Sequence, residues 1–241
     1  MRYKLVVAYD GSDFYGYAKQ PGFRTVQSTL EEKLSMIFNE EIKIFASGRT
    51  DKGVHANGQV IHFDSEKEIN LEKLKISLNK LLCDEIVIKT IELVDESFDS
   101  RFSAKTKIYK YVIAVGTLSP FERKYVAFEK SLDIKKLKEA SELFIGTKCF
   151  KNFCSKEEDE LNFIRSIFEI DCIEKENHVY IIFKGNGFMR YQVRKMVGTM
   201  IAYEKGKISL KEINEFLTKS ERDIISFTSS GSGLYLDEVL Y

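Results

Sequence analysis

The stretch Ser47-Gly48-Arg49-Thr50-Asp51-Lys52-Gly53-Val54-His55-Ala56 separates two β-like runs, 42–46 and 59–63. The runs are rich in Ile, Val and Phe, which favour strands, whereas the glycines in the stretch favour a loop. Asp51 is the only acidic residue in the stretch or in either run, and it has an arginine two residues before it and a lysine directly after it. A nearby cation stabilises the ionised form of a carboxyl group. Asp51 is therefore a poor proton donor but a usable nucleophile.

Two interpretations of this loop compete. In one, Arg49 pairs with Asp51 only to fix a tight turn. The other follows from the string Gly-Arg-Thr-Asp-x-Gly-Val-His-Ala at 48–56, which leaves one of nine positions free and is far more specific than a short glycine motif. The string resembles the active-site loop of the tRNA pseudouridine synthase A family. The resemblance implies that Asp51 is the catalytic aspartate, which we expect to act as the nucleophile. We also expect Arg49, Lys52 and His55 to bind the RNA substrate, although Lys52 stands where the family usually has alanine.

The composition predicts a folded protein whose total charge does not reveal its partner. The chain has 241 residues, enough for one large domain or two small ones, with 44% hydrophobic residues and only 2 prolines. Its 37 basic residues balance its 37 acidic residues, so a nucleic-acid-binding surface requires that the charges segregate.

The charges do segregate along the sequence. Acidic residues cluster elsewhere, as at 157–160, and are absent from four windows: Phe14–Leu30, Ser100–Phe121, Asn177–Tyr203 and Ile224–Leu236. Chance and apolar strands explain part of this pattern. The four windows together with the Asp51 loop indicate a face kept free of negative charge.

The cysteines and histidines show no metal-ligand spacing. The four cysteines form no Cys-x-x-Cys pair: Cys83, Cys149, Cys154 and Cys172. In a chain of this length they are typical of small buried hydrophobic residues in a reducing compartment. We find no signal-like apolar region at the N-terminus and no run of membrane-spanning length. We therefore expect a cytoplasmic protein without a metal, a cofactor or a membrane partner.

Hydrophobic periodicity predicts the same order of elements in both halves of the chain. The first half has strands at 3–9, 42–46, 59–63 and 86–91, with a helix capped by Thr25 and another capped by Asn70 that places Leu71, Leu74, Leu78 and Leu81 inward. The second half has strands at 107–115, 163–173, 179–183 and 234–240, and helices at 133–144, at 188–203 and after a capping box at 209–212.

Each half therefore reads β-α-β-β-α-β, with one additional helix in the second. This order predicts an α+β fold of two ferredoxin-like domains with antiparallel sheets and a central cleft between them. We place the domains at 1–105, carrying the Asp51 loop, and at 106–241.

Two tyrosines, Tyr109 and Tyr111, alternate on the predicted strand at 107–115 and so share one face. They could simply pack on the sheet, or one could stack on a base or take part in proton transfer. The family has Tyr-x-Tyr here, with the first tyrosine in the catalytic site. The resemblance therefore assigns a catalytic role to Tyr109, and we expect Tyr111 to contact the substrate.

Arg194 shares one side of its predicted helix with Val197 and Ile201. Its stem could pack on the surface with the guanidinium in water, or the guanidinium could be partly desolvated beside an anion. The segment 188–198 resembles the family motif Phe-x-x-x-Met-Val-Arg-x-x-Val-Gly, with Gln192 in place of methionine. The resemblance implies that Arg194 pairs with the catalytic aspartate, and we expect Arg190 to bind RNA.

Weaker matches cover the ends of the chain. Residues 9–16 resemble the first motif of the family, but Tyr17 and Ala18 replace its usual Trp-Gln. Residues 227–236 resemble the last motif without its proline, and they place Leu234 among the expected substrate-binding residues.

The resemblance spans nearly the whole chain and implies an isomerase that forms pseudouridine in tRNA, at positions 38 to 40 of the anticodon arm, as a homodimer. A non-catalytic RNA-binding protein of two RRM-like units shares the element order. It would need aromatic strand motifs that Gly58–Phe63 does not provide. A paralogue with a shifted target uridine, or one that has lost activity, is the other alternative; the retained Asp51, Tyr109 and Arg194 argue against loss of activity.

Overall fold

A computed structural model describes residues 1–155, 162–219 and 221–241, so the acidic run at 157–160 lies outside the described residues. The chain forms two compact units, the first made of 1–105 with 235–241 and the second of 106–234. In the described ranges, no helix has the length and hydropathy that crossing a bilayer requires.

The first unit contains a sheet and two helices. Its elements in chain order are β1 (Arg2–Tyr9), α1 (Val26–Phe38), β2 (Phe45–Ala46), β3 (His55–Asp64), α2 (Leu71–Leu81) and β4 (Ile86–Val94). β1 lies between β3 and β4 and is antiparallel to both, and β2 pairs with β3 antiparallel. This part of the chain has the predicted β-α-β-β-α-β order.

Alternation on β1 and the stripe on α1 build the core of the first unit. β1 buries every second residue, and Leu5 is completely inaccessible to solvent. Leu30 and Leu34 of α1 are equally buried. Thr25 starts α1 with a capping box, in which the Thr25 hydroxyl accepts from the Ser28 backbone and the Ser28 hydroxyl accepts from the Thr25 backbone.

Three predictions for the first unit need correction. The run 42–46 forms a strand only at Phe45–Ala46, because β2 pairs with β3 only through Phe45↔His62 and Ala46↔Ile61. Leu81 ends α2 with 38% of its surface exposed, rather than facing inward. Cys83 is also exposed, since it lies in a turn with φ +50°.

The second unit contains antiparallel strands and three helices. Its elements are β5 (Thr106–Val115), β6 (Ala127–Glu129), α3 (Ile134–Glu142), β7 (Gly146–Cys149), β8 (Ile164–Lys175), β9 (His178–Gly185), α4 (Gln192–Glu204) and α5 (Leu210–Thr218). The sheet order is β5-β9-β8-β7, antiparallel throughout, with the short β6 parallel to β5. The predicted α+β class with antiparallel sheets is confirmed.

The second unit differs from prediction at two helix boundaries and in two short strands. The helix expected at 188–203 begins at Gln192, because Tyr191 has φ +66°, outside the helical region. The helix expected at 133–144 runs only from Ile134 to Glu142, and Gly146 begins β7. The strands β6 and β7 were not predicted, since they have only three and four residues.

The last strand, β10 (Leu234–Leu240), lies in the first unit from Tyr235 onward, although the sequence analysis grouped it with the second half. It pairs with β3 in parallel, through Tyr235↔His55 and Leu236↔Ala56. The Asn57 amide donates to the Asp237 carboxylate at 2.7 Å. β10 therefore holds the start of β3, directly after the Asp51 loop, through strand pairing and this side-chain hydrogen bond.

Candidate active site

The Asp51 loop is fixed at its beginning by a buried glutamine. Gln59, on β3, has no solvent-exposed surface. Its Nε2 donates to the Gly48 carbonyl at 2.8 Å, and its Oε1 accepts from the Ser47 hydroxyl at 2.7 Å. The Ser47 backbone N–H also donates to the Val60 carbonyl at 2.8 Å. One side chain therefore fixes the entry to the loop.

The middle of the loop is anchored through Thr50. The Thr50 hydroxyl is 2.8 Å from the hydroxyl of Tyr9, which ends β1, and the Thr50 carbonyl accepts from the Tyr17 N–H at 3.0 Å. Burial raises the pKa of Tyr9 to about 12, so this hydroxyl stays neutral at physiological pH. Tyr17 is also buried, and desolvation raises its pKa well above the usual value.

Asp51 is half-buried and lies in a turn closed by the Val54 N–H, which donates to the Asp51 carbonyl at 3.1 Å. Gly16 packs on this turn with φ +84°, and a Cβ there would lie 3.2 Å from the Thr50 carbonyl oxygen. Only glycine adopts this conformation at such a close approach without strain. The segment 10–25 is thus seated against the backbone of Asp51.

The two cations beside Asp51, Arg49 and Lys52, are both exposed. The Lys52 ammonium lies 4.5 Å from the ring centroid of Tyr15, a cation–π contact. The loop therefore presents two cations at the surface close to its single carboxylate.

His55 is buried at the start of β3 rather than exposed beside the other loop residues. Its Nδ1 accepts from the Gly11 N–H at 3.1 Å, and its ring stacks on Tyr235 at 4.7 Å. Nδ1 is also 3.3 Å from an Asp10 carboxylate oxygen. Because the Gly11 N–H points at Nδ1, we take Nδ1 as the acceptor, with the ring proton on Nε2. These contacts make His55 a support for the loop.

In the second unit, Tyr109 and Tyr111 lie on β5, paired with Phe183 and Ile181 of β9. Both are buried, and the Tyr109 ring packs edge-on against Phe188 with centroids 5.2 Å apart. The Tyr111 hydroxyl donates to the Ser230 carbonyl at 2.8 Å, and burial raises its pKa. Tyr111 thus anchors the segment that precedes β10, and Leu234, the first residue of β10, is also buried.

Arg194 lies in the first turn of α4 and is half-buried. Its Nε donates to the Ser229 carbonyl at 2.9 Å, and the Ser229 N–H donates to the Arg194 carbonyl at 3.0 Å. Its guanidinium carbon is 4.8 Å from the centroid of the Tyr191 ring, and that of the exposed Arg190 is 5.2 Å from the same ring. The left-handed turn at Tyr191 brings both arginines to one ring.

The predicted site residues thus fall into two groups. The first unit carries Asp51, Arg49, Lys52 and His55, and the second unit carries Tyr109, Tyr111, Arg190, Arg194 and Leu234. Across the described ranges, no group of three or more His, Cys, Asp and Glu side chains could hold a metal ion.

The residues that hold the loop were not predicted from the sequence: Tyr9, Thr50 and Gln59. A polar glutamine directly before the apolar pair Val60 and Ile61 was the available signal for Gln59.

Known proteins resemble this chain over its whole length. The family model described as tRNA pseudouridine synthase matches residues 5–103 and 140–241. A Bacillus cereus protein named tRNA pseudouridine synthase A 1 is 40% identical over 100% of this chain and 98% of its own length. Proteins named tRNA pseudouridine synthase A are 41% identical in Listeria monocytogenes and 40% identical in Mycoplasma genitalium, over 100% of this chain and 99% and 98% of theirs. The chain therefore belongs to the tRNA pseudouridine synthase A family and is an isomerase.

Proposed function

We propose that this enzyme converts uridine to pseudouridine at positions 38 to 40 in the anticodon arm of tRNA, with Asp51 as the nucleophile. The observation that carries the proposal is the construction of the Asp51 loop. Its only carboxylate sits in a turn held by Gln59 and Thr50, with two exposed cations beside it. The 40% and 41% identity over the whole chain to proteins with tRNA pseudouridine synthase A in their names supports tRNA as the substrate class.

The reaction breaks one bond of the nucleotide and forms another. The target nucleotide leaves its stack, at a cost of a few kcal/mol. Asp51 attacks the nucleotide at C1′ of the sugar or at C6 of the base, and the bond between N1 and C1′ breaks. The uracil rotates, C5 bonds to C1′, and the bond to Asp51 breaks, which restores the free carboxylate. The hydrogen on C5 leaves as a proton, and N1 takes up a proton in its place. The product is an isomer of the substrate, so no oxidant or group donor is consumed.

The other site residues keep the roles that the resemblance implies for them. Tyr109 acts beside the reacting base, Arg194 keeps the catalytic carboxylate ionised and oriented, and Arg49 supports the flipped state. Exposed Lys52 and Arg190 contact the RNA backbone. Because His55, Tyr111 and Leu234 are buried, we propose that these three residues hold the site in place without contacting the RNA.

Release of tritium from tRNA labelled at uridine C5 tests the reaction, because that hydrogen must leave when the new bond forms. We expect the unmodified protein to release tritium. Asp51→Asn, which keeps the shape of the side chain and removes the nucleophile, should bind tRNA and release none. Turnover of Asp51→Asn at a rate comparable to that of the unmodified protein would remove Asp51 from the mechanism.

The target position needs a separate test. Pseudouridine is mapped by carbodiimide modification and primer extension in tRNA from cells with and without the gene. We expect the signals at 38 to 40 to disappear in the deletion strain. Loss of signals only outside the anticodon arm would favour a shifted target uridine, and no change would favour a protein without activity.

We also infer that the enzyme acts in the cytoplasm as a homodimer, which rests on the resemblance to its family. Sedimentation equilibrium of the purified chain measures its mass in solution. A monomer at micromolar concentrations would contradict the homodimer.

A further inference from the structure

Two aromatic rings stack on the surface of the segment 10–25. The Tyr15 and Phe23 centroids are 4.0 Å apart with 15° between the ring planes. The backbone holds both residues in place, since the Tyr15 N–H donates to the Arg24 carbonyl at 2.9 Å and the Phe23 N–H donates to the Gln20 carbonyl at 3.3 Å. The Gln20 amide also donates to the Tyr15 carbonyl at 3.1 Å. The pair is therefore a fixed feature of the segment.

Lys52 extends this pair to a column of three layers, Lys52–Tyr15–Phe23. Phe23 covers one face of the Tyr15 ring, so the Lys52 ammonium, 4.5 Å from the Tyr15 centroid, occupies the other face. Phe23 retains 50% of its surface exposed even though Tyr15 covers one of its faces. The outer face of Phe23 is thus the open end of the column.

The column is fixed to the catalytic loop. Lys52 directly follows Asp51, and Gly16, which follows Tyr15, packs on the backbone of residues 50–52. The Tyr17 N–H donates to the Thr50 carbonyl at 3.0 Å. A ligand stacked on Phe23 would therefore be held at a defined distance from Asp51.

We propose that the outer face of Phe23 is a stacking site for an unpaired base of the tRNA substrate, next to the uridine that Asp51 attacks. A flat aromatic face accepts any base, and exposed aromatic rings beside cations are how single-stranded nucleic acid is bound. Lys52 places a positive charge at the far end of the same column, where it can contact a phosphate. The inference rests on the proposed function, because it takes tRNA as the substrate.

An exposed pair of rings could instead be a contact between two copies of this chain. The positions of the cations favour RNA, since Lys52 and Arg49 are both exposed in the adjoining loop and phosphate is the ligand that attracts them. The experiments below distinguish the two occupants.

The chain contains no tryptophan, so Phe23→Trp introduces a single fluorescent reporter at the proposed site. Stacking of a base on the indole quenches its emission. We expect saturable quenching as a tRNA transcript is added, over the concentration range in which filter binding measures complex formation. Phe45→Trp is the matched control, because Phe45 is 55% exposed and stacks on one ring, that of His62 at 5.1 Å. The emission of Phe45→Trp should not be quenched by tRNA.

The position of the stacked base can be found with anticodon-arm RNAs that lack one base at a time. We expect the quenching of Phe23→Trp to disappear for a base missing next to the target uridine and to persist for bases missing elsewhere. Binding of tRNA to Phe23→Trp without quenching would overturn the proposal.

Kinetics give an independent test. Loss of one base–aromatic stack weakens binding roughly 5- to 100-fold. We therefore expect Phe23→Ala and Phe23→Leu to raise KM for tritium release by that factor, whereas Phe23→Trp and Phe45→Ala stay within about twofold of the unmodified protein. Leucine keeps the apolar bulk and removes the flat ring, so retention of KM in Phe23→Leu would refute stacking.

The outcomes separate this proposal from the proposed function. If the unmodified protein releases tritium and Phe23→Ala has the same KM, the stacking site is refuted and the reaction stands. If Phe23→Ala changes the sedimentation mass and leaves tRNA affinity per active site unchanged, the column is an interface between copies. If the unmodified protein releases no tritium, quenching in Phe23→Trp still reports base stacking.

Discussion

Arg194 illustrates how a single side chain is oriented for a task that charge alone cannot perform. Its Nε is bound to the Ser229 carbonyl, which leaves the terminal nitrogens of the planar guanidinium to face other groups. Lysine keeps the charge and loses this geometry. We expect Arg194→Lys to lower kcat for tritium release roughly 10- to 100-fold, the worth of one hydrogen bond to a charged group.

Arg190→Lys is the matched control for Arg194→Lys. Both guanidinium groups lie over Tyr191, but Arg190 is exposed. We expect Arg190→Lys to raise KM slightly and to leave kcat unchanged. If Arg194→Lys instead weakened tRNA binding and retained kcat at saturation, Arg194 would be a phosphate contact.

Tyr9 makes the free energy of unfolding decrease at alkaline pH. Burial raises its pKa from the ordinary 10.0 to about 12, so between these values the unfolded chain loses this proton while the folded chain keeps it. The stability that the neutral hydroxyl contributes is fully present below pH 10 and is lost as the pH rises toward 12, at about 1.4 kcal/mol per pH unit.

Urea unfolding at several pH values from 8 to 11.5 measures this dependence. We expect Tyr9→Phe to reduce the downward slope above pH 10 by about one proton, while Tyr17 and Tyr111, whose pKa values are also raised, still contribute. The comparison uses slopes, since Tyr9→Phe also loses the hydrogen bond to Thr50. An unchanged slope would show that Tyr9 ionises equally in both states.

At the scale of elements, two capping boxes offer a matched pair. Thr25 starts α1 in the first unit, and Ser209 starts α5 in the second, where Glu212 completes the box. Replacing either with alanine should lower the free energy of unfolding by about 1 kcal/mol. The first turn of α1 also donates from Val26 to the Gly16 carbonyl and from Gln27 to the Tyr17 carbonyl.

Only Thr25→Ala should therefore affect catalysis, because Gly16 and Tyr17 pack on the Asp51 loop. We expect kcat/KM for tritium release to fall severalfold in Thr25→Ala and to stay unchanged in Ser209→Ala. Equal effects on activity would mean that the start of α1 does not position the loop.

The elements that the sequence predicted well are those whose signal is local. Capping residues mark the start of α1, α2 and α5, and alternation marks β1. The short strands β6 and β7 are held mainly by their pairing with distant strands, which no local pattern encodes. The start of α4 was missed because a tyrosine at position 191 has a conformation rarely adopted by bulky residues.

The candidate site likewise combines residues with a local sequence signal and residues whose role depends on distant partners. The loop string made Asp51 visible, but the glutamine and threonine that hold it act through contacts with residues far along the chain, such as Thr50 with Tyr9. His55 looked like a ligand of RNA because it lies in the loop string. Its role follows from Tyr235, which lies 180 residues later in the chain and which β10 brings onto its ring.

For the whole molecule, zero net charge makes salt dependence an informative measurement. If the cations in the acid-free windows form one face, four phosphate contacts would reduce tRNA affinity roughly 100-fold between 50 and 200 mM salt. Filter binding over this range measures the slope of log Kd against log salt. A flat response would show that the charges do not segregate in space.

Single substitutions locate the contacts behind that slope. Arg49→Gln removes an exposed cation of the Asp51 loop and should reduce the slope by about one. Lys135→Gln, which removes an exposed cation of α3 outside the acid-free windows, should leave the slope unchanged. Equal reductions in both variants would indicate binding without a preferred face.

The return of β10 to the first unit has a consequence for how the protein is made. Residues 235–241 complete the strand pairing beside His55, yet the ribosome adds them only after all of 106–234. At 5–20 residues per second, the first unit waits roughly ten seconds for its last strand. During that interval the nascent chain carries the Asp51 loop without the Tyr235 ring against His55. The first unit therefore completes the surroundings of its Asp51 loop only after every residue of the second unit has been synthesised.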